Sequence, residues 1–263
     1  MIKKTIVKDV RYPLTGGAGS DAIHRNPVYS YTAVHLYDTA GNCGTGLAFT
    51  LGAGNELVCE AARFYADKLT GQHIETIMEN FGSWFKMMSD EEHYRWLGPH
   101  KGVVHLALAA VTNACYDLWA KHQQVPLWQL LLQLTPEQLV NTLDLSYLED
   151  VMTRGQAIDL LKSMEHSRYQ RERVLKEGYP AYDTSAGWFN YSDAQLEDNC
   201  RKAMDNGFRA LKLKVGGQDT EKDIRRAHIV RNITGDDIKV MLDANQQWNL
   251  PQAIATGKRL AAI

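Results

Sequence analysis

Three times between residues 179 and 263 a short β-rich run is followed by a stretch of helical periodicity, and Asp183, Lys212 and Asp243 recur about thirty residues apart. Strand, helix and strand at that spacing make a βα unit, whose crossover is right-handed almost without exception. The region is therefore predicted to be a parallel sheet flanked by helices, wound either as an open sheet or around a barrel. Local signals mark the helix starts. Ser192 with Gln195 forms a capping-box pattern ahead of Leu196, Cys200, Ala203 and Met204, and Gly207 supplies the stop. A second helix is expected from near Asp219 or Thr220, with Ile224, Ala227 and Val230 inward, and a third from near Asn249 and Pro251.

The first 140 residues have another texture. Ile2 to Arg11, Tyr29 to Tyr37 and Gly46 to Leu51 read as strands of a small antiparallel meander. From Glu56 to about Gln133 the pattern is helical, and its clearest seam is Val104, Leu108, Val111, Cys115 and Leu118, the spacing of a helix packed on a sheet. His105, Asp117 and His122 on that helix read as solvated or capping residues. Between these regions, Val140 to Leu145 could be a strand while Thr153 to Lys176 is charged and helix-like. The expected organisation is α/β: an α+β domain over 1–140, a linker or insertion over 141–178, and βα units over 179–263.

Composition narrows the function. With a net charge of −2 and both signs interspersed, the chain has no basic stripe for nucleic acid or an anionic membrane. The N-terminus lacks an apolar core of signal-peptide length, and no run reads as the roughly 18 apolar residues of a membrane span, so a cytoplasmic protein is expected. Cys43, Cys59, Cys115 and Cys200 are scattered, without a Cys-x-x-Cys pair, and read as reduced packing residues.

Chemistry concentrates in two of the predicted strands. In Arg209-Ala-Leu-Lys-Leu-Lys-Val, a period of two puts Leu211, Leu213 and Val215 on one face and Lys212 and Lys214 on the other. A parallel strand is normally apolar on both faces, so two lysines mean either an edge strand protected by charge or a site. Lys239-Val-Met-Leu-Asp-Ala-Asn then places Met241, Asp243 and Asn245 on one face at the C-terminal strand end, where ligands gather in α/β folds. Asp243 taken alone could equally cap the following helix. Taken together, a carboxylate suited to Mg²⁺ and two lysines suit removal of a proton α to a substrate carboxylate. Lys214 is the candidate base. Two ammonium groups about 7 Å apart repel by roughly 2 to 3 kcal/mol at an effective dielectric of 20, so Lys212 is expected to lower its pKa. The segment Thr-Gly-Gly-Ala-Gly-Ser-Asp at 15–21 reads, by itself, as a surface loop.

Leu-Lys-Leu-Lys-Val on one strand and Met-Leu-Asp-Ala-Asn-Gln on the next resemble the mandelate-racemase-like branch of the enolase superfamily. Within that branch the likeness is nearest to the L-fuconate dehydratases, through Arg95 to Ala107 (Arg-Trp-Leu-Gly-Pro-His-Lys-Gly-Val-Val-His-Leu-Ala) and Gly178 to Ser185 (Gly-Tyr-Pro-Ala-Tyr-Asp-Thr-Ser). The resemblance implies an N-terminal capping domain and a (β/α) barrel. It also implies Mg²⁺-dependent dehydration of a sugar acid such as L-fuconate, with Lys214 as base, Lys212 on the substrate carboxylate, Asp243 as a metal ligand and Asn245 as a substrate contact. Gly19, Ser20, Asp21 and Tyr29 would lie in a capping-domain loop that recognises the sugar chain. Family members take two further acidic ligands and a catalytic histidine from later strands, whereas this sequence stops at Ile263. The resemblance thus implies an incomplete barrel that is inactive by itself and prone to associate, and a homo-oligomer for the full-length protein. Another acid-sugar dehydratase, a racemase, or a non-catalytic binding isoform are the alternatives.

Overall fold

The computed structural model describes residues 1–98, 102–261 and 263, and its contacts divide the chain into two compact units. One comprises Met1–Arg11 with Ser30–Gly178, the other Tyr12–Tyr29 with Tyr179–Ile263. Residues 99–101 of the Arg95–Ala107 motif lie outside the described residues.

In the first unit, β1 (Ile2–Pro13), β2 (Val28–Asp38) and β3 (Cys43–Thr50) form a sheet in that order. β2 and β3 pair antiparallel, with Ser30 opposite Thr50 and Tyr37 opposite Cys43. Helices α1 (Asn55–Asp67), α2 (Ile74–Glu79), α3 (Phe81–Ser89) and α4 (Val103–His122) follow. The predicted seam of α4 is buried with Val34 and Leu36 of β2 and Ala62 and Tyr65 of α1, so this helix is the centre of the unit's core. By length and composition alone α4 could cross a membrane, with a mean hydropathy of 1.2 over 18 residues, contrary to the expectation that no run would. Half of that window is buried inside the protein.

Its polar residues do more than meet solvent. Asp117 accepts the Thr45 N–H at 2.7 Å, and His122 lies between the carboxylates of Glu75, at 2.6 Å, and Asp38. Burial would lower the His122 pKa, but the hydrogen bonds and charges of Asp38 and Glu75 outweigh it and raise the pKa.

The segment read as a linker is helical and groups with this unit. Thr135 forms a capping box with Gln138, so α6 (Pro136–Asn141) follows α5 (Leu127–Gln133) where a strand was considered possible. A second box, Thr153 with Gln156, starts α7 (Arg154–Ser163), and α8 (Arg168–Glu177) follows after a short 3₁₀ turn.

The second unit contains β4 (Asp183–Gly187), α9 (Asp193–Asp205), β5 (Ala210–Lys214), α10 (Thr220–Thr234), β6 (Lys239–Asp243) and α11 (Leu250–Leu260). Every helix begins where its capping signal stands. Ser192 and Asn249 form capping boxes with Gln195 and Gln252, and Asp219 accepts the Lys222 N–H. The sheet is parallel, in the order β4-β5-β6. Leu211, Leu213 and Val215 of the β5 region are buried against Leu196, Cys200 and Ala203 of α9, Ala227 and Val230 of α10 and Leu260 of α11. Val240 and Ala244 pack on the same cluster, whereas Leu242 on that face is 38 % exposed. Burying one face of β5 fixes its register, and every second side chain must then point the other way.

Candidate active site

Parallel pairing of β5 with β6 sets Lys214 beside Asp243 and Lys212 beside Met241. Side chains on one face of adjacent strands lie within reach of each other. Lys214 Nζ donates to Asp243 Oδ2 at 2.7 Å and to Asn245 Oδ1 at 2.9 Å, and Lys212 Nζ lies 3.2 Å from the same carboxylate oxygen. The structure therefore brings Lys212, Lys214, Asp243 and Asn245 into one cluster at the C-terminal ends of two strands. Lys214 is almost fully buried, which answers the alternative of a solvated edge strand.

The backbone beyond β6 is shaped to hold this cluster. Asp243 Oδ1 accepts the Asn245 N–H at 3.0 Å, an Asx turn. Asn245 and Gln246 both take positive φ, 48° and 62°, a region asparagine tolerates better than most residues. The turn aims the Asn245 amide at Lys214, and an ammonium, which has only donors, selects the amide oxygen. Past β5, Gly216 has φ 98°, and a Cβ there would stand 2.8 Å from the Ala244 carbonyl oxygen. No other residue lets the two strand exits come so close.

Burial pushes the Asp243 carboxyl up, but the hydrogen bonds from Lys214, from the Asn245 N–H and from Lys212 bring its pKa down to about 2. Burial lowers the Lys212 pKa, yet the Tyr182 hydroxyl and Asp243 outweigh it and hold the pKa above its ordinary value. The lysine–lysine repulsion expected from the alternation is thus offset here by a carboxylate shared between the two. A partly open carboxylate that is ionised at neutral pH fits as one ligand of a hard cation such as Mg²⁺, which is commonly held by one or two carboxylates with other oxygens completing the shell. Among the described residues no group of three or more His, Cys, Asp or Glu encloses a metal position.

Two aromatic residues at this site were not singled out from the sequence. Lys212 Nζ is 3.4 Å from Tyr182 Oη and 5.1 Å from the Tyr182 ring centre, and Lys214 Nζ is 5.8 Å from the ring centre of Trp188. Both are cation–π distances. Tyr182 falls within the Gly178–Ser185 motif, which carried the resemblance without a role for it, and for Trp188 the signal was its place in the loop at the strand-end side of β4.

The loop of Gly19, Ser20, Asp21 and Tyr29 belongs to the same compact unit as the βα region. Gly19, with φ 72°, packs on the Tyr29 ring. Buried Ser20 accepts the Phe189 N–H on its carbonyl at 3.0 Å and the Asn190 N–H on Oγ at 2.9 Å, and donates to Gly17 O. The Asp21 carboxylate accepts the Ile23 and His24 N–H groups and contacts the His24 ring. The hydrogen bonds of Ser20 and Asp21 among the described residues thus go to their own loop and to the loop after β4. They meet the lysine cluster through the chain segment Trp188–Asn190 rather than directly.

Residues 195–263 match the family described as Enolase C-terminal domain-like. The crystal structure of human mitochondrial enolase superfamily member 1 is 40 % identical and superposes with a TM-score of 0.93, covering 99 % of this chain and 60 % of that one. L-galactonate dehydratase from Hypocrea jecorina is 38 % identical over 259 residues, 97 % of this chain and 57 % of its own length. A more distant likeness, 22 % identical with a TM-score of 0.72, is to L-talarate/galactarate dehydratase from Salmonella typhimurium LT2 liganded with Mg and L-lyxarohydroxamate; it covers 99 % of this chain and 56 % of that one and bears on the fold alone. The chain spans about three-fifths of the length of these relatives. Its three parallel βα units, the preceding α+β unit and these likenesses place it in the enolase superfamily, with the fold of that superfamily.

Proposed function

We propose that this chain contributes the proton-abstracting half of a Mg²⁺-dependent sugar-acid dehydratase. The single observation that carries the reading is the contact of Lys214 with Asp243 and Asn245 on one sheet face, with Lys212 on the same carboxylate. Asp243 would hold Mg²⁺ in part, and the bound ion supplies positive charge against the substrate carboxylate. Once the Asp243 carboxylate is committed elsewhere, the Lys214 amine is released from its hydrogen bond to Asp243 and can face the substrate, with Lys212 beside it. That amine takes the proton from C2. The electron pair moves into the carboxylate, where Lys212 meets the growing charge. The C3 hydroxyl then departs as water, the proton it takes up balancing the one removed from C2, and the enol relaxes to a 2-keto-3-deoxy acid.

The substrate class is a six-carbon aldonate of L-galacto configuration. L-fuconate is 6-deoxy-L-galactonate, so the sequence resemblance and the L-galactonate dehydratase relative point to the same stereocentres at C2 to C5. Gly19, Ser20, Asp21 and Tyr29 serve this reading as the loop that shapes the sugar-chain side. The domain assignment that goes with it is a capping domain over 1–140, an insertion over 141–178 and the opening of a barrel over 179–263. The whole protein is a homo-oligomer in this reading, and the chain of 263 residues is inactive by itself. The test is a panel of aldonates and aldarates with Mg²⁺ and α-keto-acid detection, using both the 263-residue chain and the protein from its complete reading frame. Keto acid from L-fuconate or L-galactonate formed by the second preparation and not by the first supports the reading; turnover of neither by the second preparation refutes it, and turnover by the 263-residue chain at the same rate overturns its inactivity. The location that goes with this reading is cytoplasmic, whereas the human relative is named mitochondrial, and fractionation of the source cells separates the two.

A further inference from the structure

One turn of α10 holds the backbone on both sides of the lysine cluster. Asp223 is 1 % exposed, and its Oδ2 accepts the N–H groups of Gly216 at 2.8 Å and Gly217 at 3.1 Å, the turn that leaves β5 just after Lys214 and Val215. Arg226, also 1 % exposed, donates from Nη1 to Tyr191 O at 2.7 Å and from Nη2 to Trp188 O at 2.8 Å, in the loop that leaves β4. Three residues apart, the two side chains leave the same face of the helix. Both charged groups spend their bonds on backbone at strand exits, and Arg226 Nε is buried without a hydrogen-bond partner among the described residues.

For stability alone this is a poor arrangement, since well-packed apolar residues of similar volume usually serve as well as buried charges. What it does achieve is placement. The Gly216 turn stands against Ala244, directly before Asn245, and Trp188 carries the ring that lies over Lys214. Ser20 grips the adjoining Phe189 and Asn190 from the other side.

We propose that Asp223 and Arg226 are positioning residues that fix the height of Lys214 against Asp243 and Asn245 and the seat of Trp188 above it. The proposal rests on Lys214 being the base. A shift of about 1 Å in a reacting group can cost on the order of 10²-fold in rate, so removing either anchor should act on turnover more than on binding.

The experiment uses Asp223→Ala, Asp223→Asn, Arg226→Met and Arg226→Lys in the protein from its complete reading frame. Asp223→Ala should lower kcat about 10²-fold with KM within about threefold, and Asp223→Asn, which keeps an oxygen acceptor, should recover about tenfold of the loss. Arg226→Lys should likewise exceed Arg226→Met. In parallel, hydrogen exchange at the Gly216 and Gly217 amides should accelerate in the Asp223 variants while exchange in the α4 core does not change. Unchanged exchange at the two glycines overturns the proposal, as does a loss of rate confined to KM or one that the conservative variants do not rescue. If the wild-type protein turns over no sugar acid, the proposed function fails while the exchange result still decides whether Asp223 holds the turn. Should Asp223→Ala not fold, Asp223→Asn and Arg226→Lys carry both readouts.

Discussion

Replacing Asp243 by Asn keeps the shape of the site and removes the one negative charge shared by two ammonium groups. The carboxyl pKa lies at about 2 in the folded chain, against about 3.9 for an aspartate in an unfolded one. That difference corresponds to about 2 to 3 kcal/mol of folding free energy. Because the folded pKa is the depressed one, the contribution is fully present above the unfolded value near pH 4 and is lost as pH falls through about 2. Asp243→Asn should therefore destabilise the second unit by about 2 to 3 kcal/mol at pH 7, and the gap to wild type should shrink to roughly half by pH 3. Urea unfolding followed by tryptophan fluorescence, at several pH values between 3 and 7, reads this directly. A variant as stable as wild type at pH 7, or a gap that does not narrow with acid, would refute the charge sharing on which the site is built.

Other consequences follow from the packing. Gly216→Ala meets both a φ of 98° and a Cβ 2.8 Å from Ala244 O, so a loss of about 2 to 4 kcal/mol in chemical denaturation is expected. Leu196 is fully buried at the α9–sheet contact, and Leu196→Ala should cost about 2 to 5 kcal/mol by the same assay. His122 has a raised folded pKa, so its contribution is complete below its unfolded value near 6.5 and disappears as pH rises through the folded value. His122→Gln should accordingly lower stability most at pH 6 and less at pH 9, as read from Tm across that range; an equal loss at both would contradict the charged His122 between Asp38 and Glu75.

The parts of this molecule that were readable from the sequence are those where one physical requirement acts alone. Leu211, Leu213 and Val215 alternate with Lys212 and Lys214 because a strand has a period of two, and the capping boxes at Ser192 and Asn249 are local chemistry. Asp243 and Asn245 joined the lysines because parallel register leaves little freedom. What was not readable has causes of other kinds. Val140 to Leu145 was open to a strand reading because so short a stretch is ambiguous, and the Thr135–Gln138 box upstream instead starts a helix that runs to Asn141 and ends in a turn at Thr142. Asp223 looked like any acid near a helix N-terminus, which the macrodipole favours, so nothing distinguished its grip on Gly216 and Gly217. His122 gave no hint either, since its partners Glu75 and Asp38 lie 47 and 84 residues away. The bonds that Ser20 and Asp21 make within their own loop were not readable either, since the partner a short polar side chain takes depends on the turn it sits in, and no motif records that.

The most direct test of Lys214 as the base is proton exchange at C2. L-galactonate and L-fuconate should be incubated in D₂O with Mg²⁺ and the protein from its complete reading frame, alongside Lys214→Met, and both the substrate C2 position and the keto product followed by NMR. Lys214→Met should abolish C2–H cleavage and keto-acid formation together while the protein stays folded. Keto acid formed by Lys214→Met at a rate within about tenfold of wild type, less than the 10² to 10⁴ a positioned base supplies, would contradict the assignment.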